Sequence, residues 1–495
     1  MTQSLQPLNA VLRSHLPSFT RKVFRELSPG TEFDDNWHID ALLYELELTT
    51  TGHSKRLIIN VPPRSLKSIC ASVALPAFIL GHNPTTRIIC VSYAQPLAAK
   101  LSRDFRKVIN SEWYRRIFPQ TIVSKDTQDE IETTKGGGRL ATSIGGVVTG
   151  LGGDFLIIDD PMKPEEAWSA TTRDRVIRYY RETLTARLNS KLNGVIIVVM
   201  QRLHDDDLAG YLLREQSNRW NHLTLPAIND EDRLIQLGGA RTHFWAKGEL
   251  LHPQREPQSV LDDIRSDLGS LAFESQWLQS PTPDGGNMVK KEHIHFYAKG
   301  LNLAAGQIVQ SWDTALKGDP SSDYSVCTTW FRRGADHFLL DVYRKQVPFP
   351  ELLKAAQHFY QKYRPEAVLI EDTGSGMSLV QQLRAETSVP AIGVKPKFDK
   401  VTRLSTVLPM FEAKQVHLPA EEIWMPALLQ ELHGFPAARH DDQVDSTTQY
   451  LTWARERSYG FFDCFWGDSP SDYDDEPQMP MWYPIYSGID GLSGH

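Results

Sequence analysis

Up to residue 200 the chain alternates two kinds of apolar pattern. Residues 57–61, 87–93, 155–158 and 194–200 are short, nearly unbroken apolar runs, the mark of strands covered on both faces. Interleaved with them, residues 39–47, 69–80 and 95–110 repeat apolar positions every three or four residues, the period of amphipathic helices. Strands alternating with helices predict a doubly wound parallel sheet, in which polar groups at the carboxyl ends of the strands converge on one crevice. From residue 308 the pattern changes. Three β-like runs follow one another at 308–312, 324–331 and 337–342, then come a helix at 349–363 and a strand at 367–370.

Three strands, a helix and a fourth strand, with helix and strand alternating afterwards, is the order of a ribonuclease H-like fold. The Pro-, Asp- and Gly-rich segment 281–286 separates the two patterns and reads as a linker. Residues 1–30 have roughly helical spacing and read as an arm, while residues 461–495 are acidic, aromatic and aperiodic, which reads as a flexible tail.

Composition narrows the class. The chain of 495 residues is 41% hydrophobic and 23% charged, as in ordinary globular proteins. A net charge of −8 argues against a uniformly nucleic-acid-coating surface, yet 53 Lys and Arg leave room for a local basic groove. Cys70, Cys90, Cys327 and Cys464 are scattered without CxxC spacing, so structural zinc and a disulfide framework are not expected and a reducing cytoplasm is. No run of about 18 apolar residues marks a membrane span or a secretion signal.

The first pattern carries nucleotide chemistry. Pro62-Pro63-Arg64-Ser65-Leu66-Lys67-Ser68 joins a strand to a helix, the setting in which backbone N–H groups and a helix N-terminus cradle phosphates. Lys67 then reaches the β/γ-phosphates of ATP and the Ser68 hydroxyl serves Mg²⁺. Asp159 and Asp160 end the third strand, one for the magnesium shell and one beside the attacking water. Gln201 follows the fourth strand. Trp37, with Phe33 and Asn36, is placed to grip adenine, or else is a helix-entry core residue.

The second pattern carries metal chemistry. Asp313 ends the first strand, Glu371 the fourth, and Asp441, Asp442 and Asp445 open the last helix. Carboxylates from separate elements suit hard divalent cations, and a Mg²⁺ pair, for which Mn²⁺ can substitute, activates water for attack on a phosphodiester. Asp313 is the expected bridging ligand, flanked by Glu371 and Asp442. Asp442 and Asp445 share a helical face, so Asp445 is the next contender, and Asp441 is placed to cap the helix. Asp372 reads as a neighbour of the site. Lys395, Lys397, Lys400 and Arg403 either track a DNA backbone or sit on a solvated loop.

These motifs in this order resemble the large subunit of tailed-phage terminases. The likeness rests on the 62–68 loop, Thr149-Gly150-Leu151-Gly152-Gly153-Asp154 leading to Asp159-Asp160, Gln201-Arg202-Leu203-His204-Asp205, Trp312-Asp313-Thr314 with Asp323-Tyr324, Glu371-Asp372-Thr373-Gly374, and His440-Asp441-Asp442. Leu66 and Leu151 depart from the pattern, at a small loop residue and at an arginine. The resemblance implies an α/β chain with a P-loop ATPase of the ASCE type at 31–284 and a ribonuclease H-like nuclease at 285–460. It places Arg64, Ser65, Lys67 and Ser68 on the phosphates, Asp160 as the catalytic acid, the segment around Gln201 in coupling, and Arg139 or Arg202 as arginine finger. It further implies double-stranded DNA as substrate, a small terminase subunit and the portal protein of the procapsid as partners, and a homo-oligomeric ring. Action is then in the host cytoplasm, docked transiently on the procapsid and not in the mature virion, with no membrane. The rivals are a helicase-nuclease of repair or defence, and a prophage relic that no longer hydrolyses ATP.

Overall fold

The computed structural model describes residues 5–148, 150, 152–281, 288–298, 300–314, 324–438 and 440–463. Most of the expected linker, Thr149 and Leu151, Asp323, Cys464 and the acidic tail thus lie outside the described residues. The chain divides into a compact unit, Met1–Thr452, and a second, Trp453–His495, in which Arg457 stacks on Trp453 at 4.5 Å.

The compact unit is built on two sheets. The first contains β1 (Arg56–Asn60), β2 (Arg87–Ser92), β3 (Val123–Asp126), β4 (Glu130–Thr133), β5 (Gly138–Ser143), β6 (Phe155–Asp159), β7 (Val195–Met200) and β8 (Asn221–Thr224). Their order is β3-β4-β5-β2-β6-β7-β1-β8, parallel from β5 to β8, with β3 and β4 antiparallel at one edge. Val195–Met200 is buried at every position because helices cover both faces, which explains its unbroken apolar run. One strand, β7, separates β1 from β6. The loop after β1 and the acids after β6 therefore open at the same edge of the sheet, about 10 Å apart by strand spacing.

The helix expected at 69–80 differs in its first turns. Ile69–Ala74 is π-helical and the α-helix runs only from Leu75 to His82. Cys70, Ala71, Ser72, Val73 and Ala74 are small and all buried, so the wider turn packs without clash. The expected arm also differs. It forms Leu5–Ser14 and Leu16–Leu27, broken at His15, and buries Leu12, Leu16, Phe19 and Val23 in the main core. Phe19 meets Phe78 and Trp113 edge-on at 5.4 Å, so this segment is part of the first sheet's core rather than a free arm.

Helix Trp37–Thr50 carries a buried histidine. His38 is 2% exposed and neither ring nitrogen has a hydrogen-bond partner, so burial pushes it down to about 3. A base whose folded pKa lies below its unfolded value stays neutral in the fold, while the unfolded chain takes up a proton below about pH 6.5. Stability is therefore expected to fall as pH drops from 6.5 towards 4. His38→Phe should flatten that slope by up to one proton, about 1.4 kcal/mol per pH unit, in denaturant unfolding at pH 5, 6 and 7. Equal slopes in both proteins would overturn the assignment.

A hairpin, β9 (Arg233–Gly238) and β10 (Arg241–Trp245), follows the first sheet. The second sheet contains β11 (His295–Tyr297), β12 (Gln307–Asp313), β13 (Ser325–Arg333), β14 (Asp336–Lys345), β15 (Ala367–Glu371), β16 (Ala391–Val394) and β17 (Val416–Pro419). Its order is β11-β17-β14-β13-β12-β15-β16, with β12, β13 and β14 antiparallel and β15 and β16 parallel to β12. The core order β14-β13-β12-β15-β16 is the ribonuclease H-like arrangement. Helix Phe349–Tyr363 has the expected bounds.

The closing helix starts at Asp442. Its register is set by polar contacts. Ser446 Oγ donates to the Ser311 carbonyl at 2.7 Å, Gln449 Nε2 donates to Ser311 Oγ at 2.8 Å, and Tyr450 stacks on Trp330 at 4.8 Å. These contacts pin the helix beside β12 two residues short of Asp313, so a slip of one residue would leave buried donors unmet. The two sheets meet through helix Lys400–Glu412, where Glu412 Oε2 accepts from the Ser270 backbone N–H at 2.8 Å at the start of helix Ser270–Gln276.

Candidate functional site

Two clusters of polar side chains lie at the carboxyl ends of buried strands. The first is built around the loop after β1. Arg64 and Leu66 have φ of 62° and 59°, and Asp160 across the crevice has φ of 43°. Left-handed backbone at non-glycine residues costs about 1–2 kcal/mol each, and three such residues at one crevice mark a shape held for a purpose. Leu66 therefore departs from the expected small residue in type while holding a left-handed backbone that glycine adopts freely. Its side chain packs on the main core, which offsets the strain.

Lys67 is buried. Its Nζ lies 3.2 Å from Asp160 Oδ2 and donates to Gln201 Oε1 at 3.3 Å. Asp160 Oδ1 also accepts from the Gln201 backbone N–H at 3.3 Å. Asp159 is fully buried and accepts from Ser68 Oγ at 2.9 Å and from Ser72 Oγ at 2.7 Å. Burial, with the neighbouring Asp160 charge, pushes Asp159 up to about 7. Lys67, Ser68, Asp159, Asp160 and Gln201, singled out from sequence, thus share one crevice. Ser65 is buried in the same loop, and the Arg64 carbonyl accepts from Arg255 Nη1 at 2.6 Å. The Ser68–Asp159 pair, a hydroxyl against a carboxylate behind a lysine, is the donor set that suits a nucleotide-bound magnesium ion.

Sequence reasoning missed Ser72 and Arg255. Ser72 lies four residues after Ser68 and so was legible by helical spacing, whereas nothing in sequence joins Arg255 to the loop. Trp37 stacks on His243 at 4.3 Å and meets Trp245 edge-on at 4.9 Å, and Asn36 Nδ2 donates to the Leu251 carbonyl at 2.7 Å. These contacts are with the hairpin and the segment after it. The two arginine-finger candidates are occupied in their own chain. Arg139 is 2% exposed and donates to the Ser72 carbonyl at 3.1 Å, and Arg202 Nε is held by Asp207 at 3.0 Å.

The second cluster joins β12, β15 and the closing helix. Burial raises Asp313 well above the usual carboxylate range, and the charges of Asp445, Glu371 and Asp442 raise it further. Arg403, bonded to both Glu371 and Asp445, ties the acids of β15 and the closing helix to one place at the end of β12. Asp442 and Asp445 are buried, and Asp442 Oδ2 accepts from the Tyr324 backbone N–H at 3.4 Å. Gly376 lets helix Ser375–Glu386 approach this strand end, since a Cβ there would lie 1.9 Å from the Glu371 carbonyl oxygen.

Two cations sit among the acids. Arg403 donates to Glu371 Oε2 at 3.0 Å and to Asp445 Oδ1 at 2.9 Å, and Lys400 Nζ lies 2.6 Å from Asp445 Oδ2 and 2.7 Å from Asp441 Oδ1. Lys400 and Arg403 thus lie on a helix and are ion-paired with the acids, Arg403 largely buried and Lys400 still about half exposed, while Lys395 and Lys397 are exposed. Asp441 pairs with Lys400, and its carbonyl accepts from the Asp445 N–H at 2.9 Å. Asp372 lies beside the site, its N–H bonded to Val394. Among the described residues no three His, Cys, Asp or Glu side chains stand in a ready metal-holding group. Oxygen donors from three elements fit a divalent cation, but Arg403 and Lys400 must first give up their carboxylates.

A family model described as terminase RNaseH-like domain matches residues 310–452. No curated protein matches the chain. Among solved structures, the large terminase of a thermophilic bacteriophage in complex with ATP-gamma-S has a TM-score of 0.51 at 12% identity, covering 83% of this chain and 98% of that chain. A second crystal form of that protein has the same TM-score, identity and coverage. The HK97 bacteriophage large terminase covers 87% of this chain and 99% of that chain at 11% identity, with a TM-score of 0.33. The likeness to the thermophilic phage's terminase is one of fold.

Proposed function

From a chain that carries a terminase RNaseH-like domain and has the fold of a phage large terminase, we infer the large subunit of a DNA-packaging terminase. ATP hydrolysis on the first sheet drives double-stranded DNA into a procapsid, and the second sheet cuts concatemeric DNA. One observation carries this reading: a strained phosphate loop facing two acids and a cluster of converging carboxylates occur in one compact chain. The thermophilic phage's large terminase was solved in complex with ATP-gamma-S, which supports a nucleotide role for this chain.

In the first site Lys67 exchanges Asp160 and Gln201 for the β- and γ-phosphates of ATP. That frees Asp160 to take a proton from water, while Gln201, at the end of β7, registers the change. Ser68 and Asp159 would hold the magnesium ion that accompanies the nucleotide. In the second site Asp313, Glu371 and Asp442, with Asp445, would hold Mg²⁺ or Mn²⁺, which supplies an activated water and stabilises the leaving oxygen. Arg403 and Lys400 hold Glu371 and Asp445 until those carboxylates would be needed as ligands. Arg403→Gln is accordingly expected to tighten Mn²⁺ binding about tenfold in isothermal titration calorimetry of the full chain, the size of one charge-assisted hydrogen bond. Weaker binding would instead make Arg403 a support of the ligands.

A small terminase subunit as the DNA-recognising partner, the portal as docking ring and a homo-oligomeric ring complete the proposal. No helix among the described residues is long and apolar enough to cross a membrane. A helicase-nuclease needs a second motor sheet, whereas the described residues between β8 and the second sheet form a two-stranded hairpin and short helices. The decisive experiment is uptake of DNA by purified procapsids. Uptake requiring ATP and this chain supports the reading, and uptake indifferent to the chain refutes it.

A further inference from the structure

The edge of the first sheet opposite the phosphate loop holds a cleft of about 620 Å³. Lys55 and Arg56 line it from the start of β1, Lys191 from the turn before β7, and Arg181 and Arg219 from the neighbouring helical segments. No carboxylate-bearing residue lines it, although the chain as a whole has a net charge of −8. The cleft also lies away from both sites described above, because β1 separates Arg56 from the loop by the length of the strand, about 13–17 Å.

The charges here are not neutralised within the chain. Lys55 Nζ donates to the Leu192 carbonyl at 3.1 Å and to Asn193 Oδ1 at 3.4 Å. Arg56 Nη1 donates to the carbonyls of Lys55 and Gly194, each at 2.7 Å, and Lys191 Nζ to the Thr185 carbonyl at 2.5 Å. Every one of these acceptors is neutral. Arg181 and Arg219 are exposed, and none of the five cations is ion-paired with a carboxylate among the described residues. Burial holds the Arg56 guanidinium below its ordinary value, and the Arg219 charge lowers it further. Gathering like charges costs free energy that a bound polyanion returns, and a cleft lined by one sign of charge focuses the field on such a ligand.

The chemistry points to phosphate. Guanidinium and ammonium groups bind phosphate oxygens as charge-assisted donors, and Tyr180, which burial pushes up to about 12, and Tyr211 bring phenol hydroxyls to the same cleft. Five cations exceed what one phosphate accepts, whereas successive phosphates of a backbone meet one cation each. We propose that this cleft is a phosphate-binding site that seats the backbone of a nucleic acid, separate from the phosphate loop and from the acid cluster. The choice of nucleic acid over a free phosphate rests on the packaging reading, but the site is measurable without either activity.

The test is fluorescence anisotropy of a labelled duplex of about 30 base pairs with the full chain, in EDTA and without nucleotide, over a range of salt. Arg181→Gln with Arg219→Gln, both exposed, should leave the thermal transition in place, weaken binding at least about tenfold and lower the slope of log affinity against log salt by about two. Lys100→Gln with Arg103→Gln, on the exposed face of helix Gln95–Asn110, removes the same charge elsewhere and should bind as the unaltered chain does. Unchanged binding by the cleft variant, or an equal loss in the control, overturns the proposal. So does a cleft variant that loses calorimetric binding of inorganic pyrophosphate while holding the duplex, because the site would then belong to a free phosphate. ATP hydrolysis and DNA cutting are not read, so failure here is distinct from failure of the packaging reading.

Discussion

Lys67→Ala is expected to abolish ATP hydrolysis by the purified chain, a loss of at least about 100-fold. The magnitude follows from position. Among the described residues Lys67 is the buried cation at the crevice that is tied both to Asp160, at 3.2 Å, and to Gln201, at 3.3 Å, so it is the group through which bound phosphate displaces the resting contacts of both strand ends. Removing it takes away charge aimed at the phosphates in a site with little water, where such charge counts most. Asp160→Asn should lose hydrolysis comparably while still binding nucleotide, because Asn keeps the side-chain size and an oxygen for the Gln201 N–H. Phosphate release measured on the three proteins decides it. Hydrolysis by the unaltered chain that persists in Lys67→Ala removes the loop assignment, and no hydrolysis in any of them, with the protein folded, favours the relic reading.

For the second site, Asp313→Asn should eliminate plasmid cutting in Mn²⁺ while leaving ATP hydrolysis intact. Asp313 ends the central strand of the core order and feels the charges of Asp445, Glu371 and Asp442 together, so it is the acid best placed to be shared between ions. The same substitution should raise the thermal transition in EDTA, since it relieves repulsion within a buried acidic group, a common trade between stability and function. Cutting that survives in the variant, or a lowered transition with cutting retained, would move the metal role elsewhere. The two readouts separate a lost ligand from a damaged fold.

Much of this chain was legible in one dimension, and the reasons are particular. Continuous apolar runs identified β1, β2, β6 and β7 because a strand buried on both faces has no polar alternation to mislead. The strands at and next to the sheet's edges, β3, β4 and β8, were not legible. Ser124, Lys125 and Glu132 are polar and exposed and Glu130 is only partly covered, so pairing rather than apolar content makes these segments strands. The arm expected at residues 1–30 had a helical period, but period cannot say what an apolar face packs on. Phe19 reaches Phe78 and Trp113 only after the chain has closed on itself.

The same division runs through the sites. Acids at strand ends were conspicuous because a carboxylate after a buried run has a desolvation cost that only function repays. Their partners were not. That Arg403 pairs with these acids depended on helix Lys400–Glu412 folding back across β15 and the closing helix, which brings charges 32 and 42 residues apart to 3.0 and 2.9 Å. Leu66 read as a departure from a small loop residue, and its left-handed backbone is offset by packing on the main core.

By itself the sequence determined the two fold classes, their order and the residue types at each strand end, because these follow from local periodicity and from the cost of burying charge. The tertiary structure alone decided which charges neutralise one another, which arginines are spent in the core and where cations remain without acids, because these depend on distances between segments that are remote along the chain.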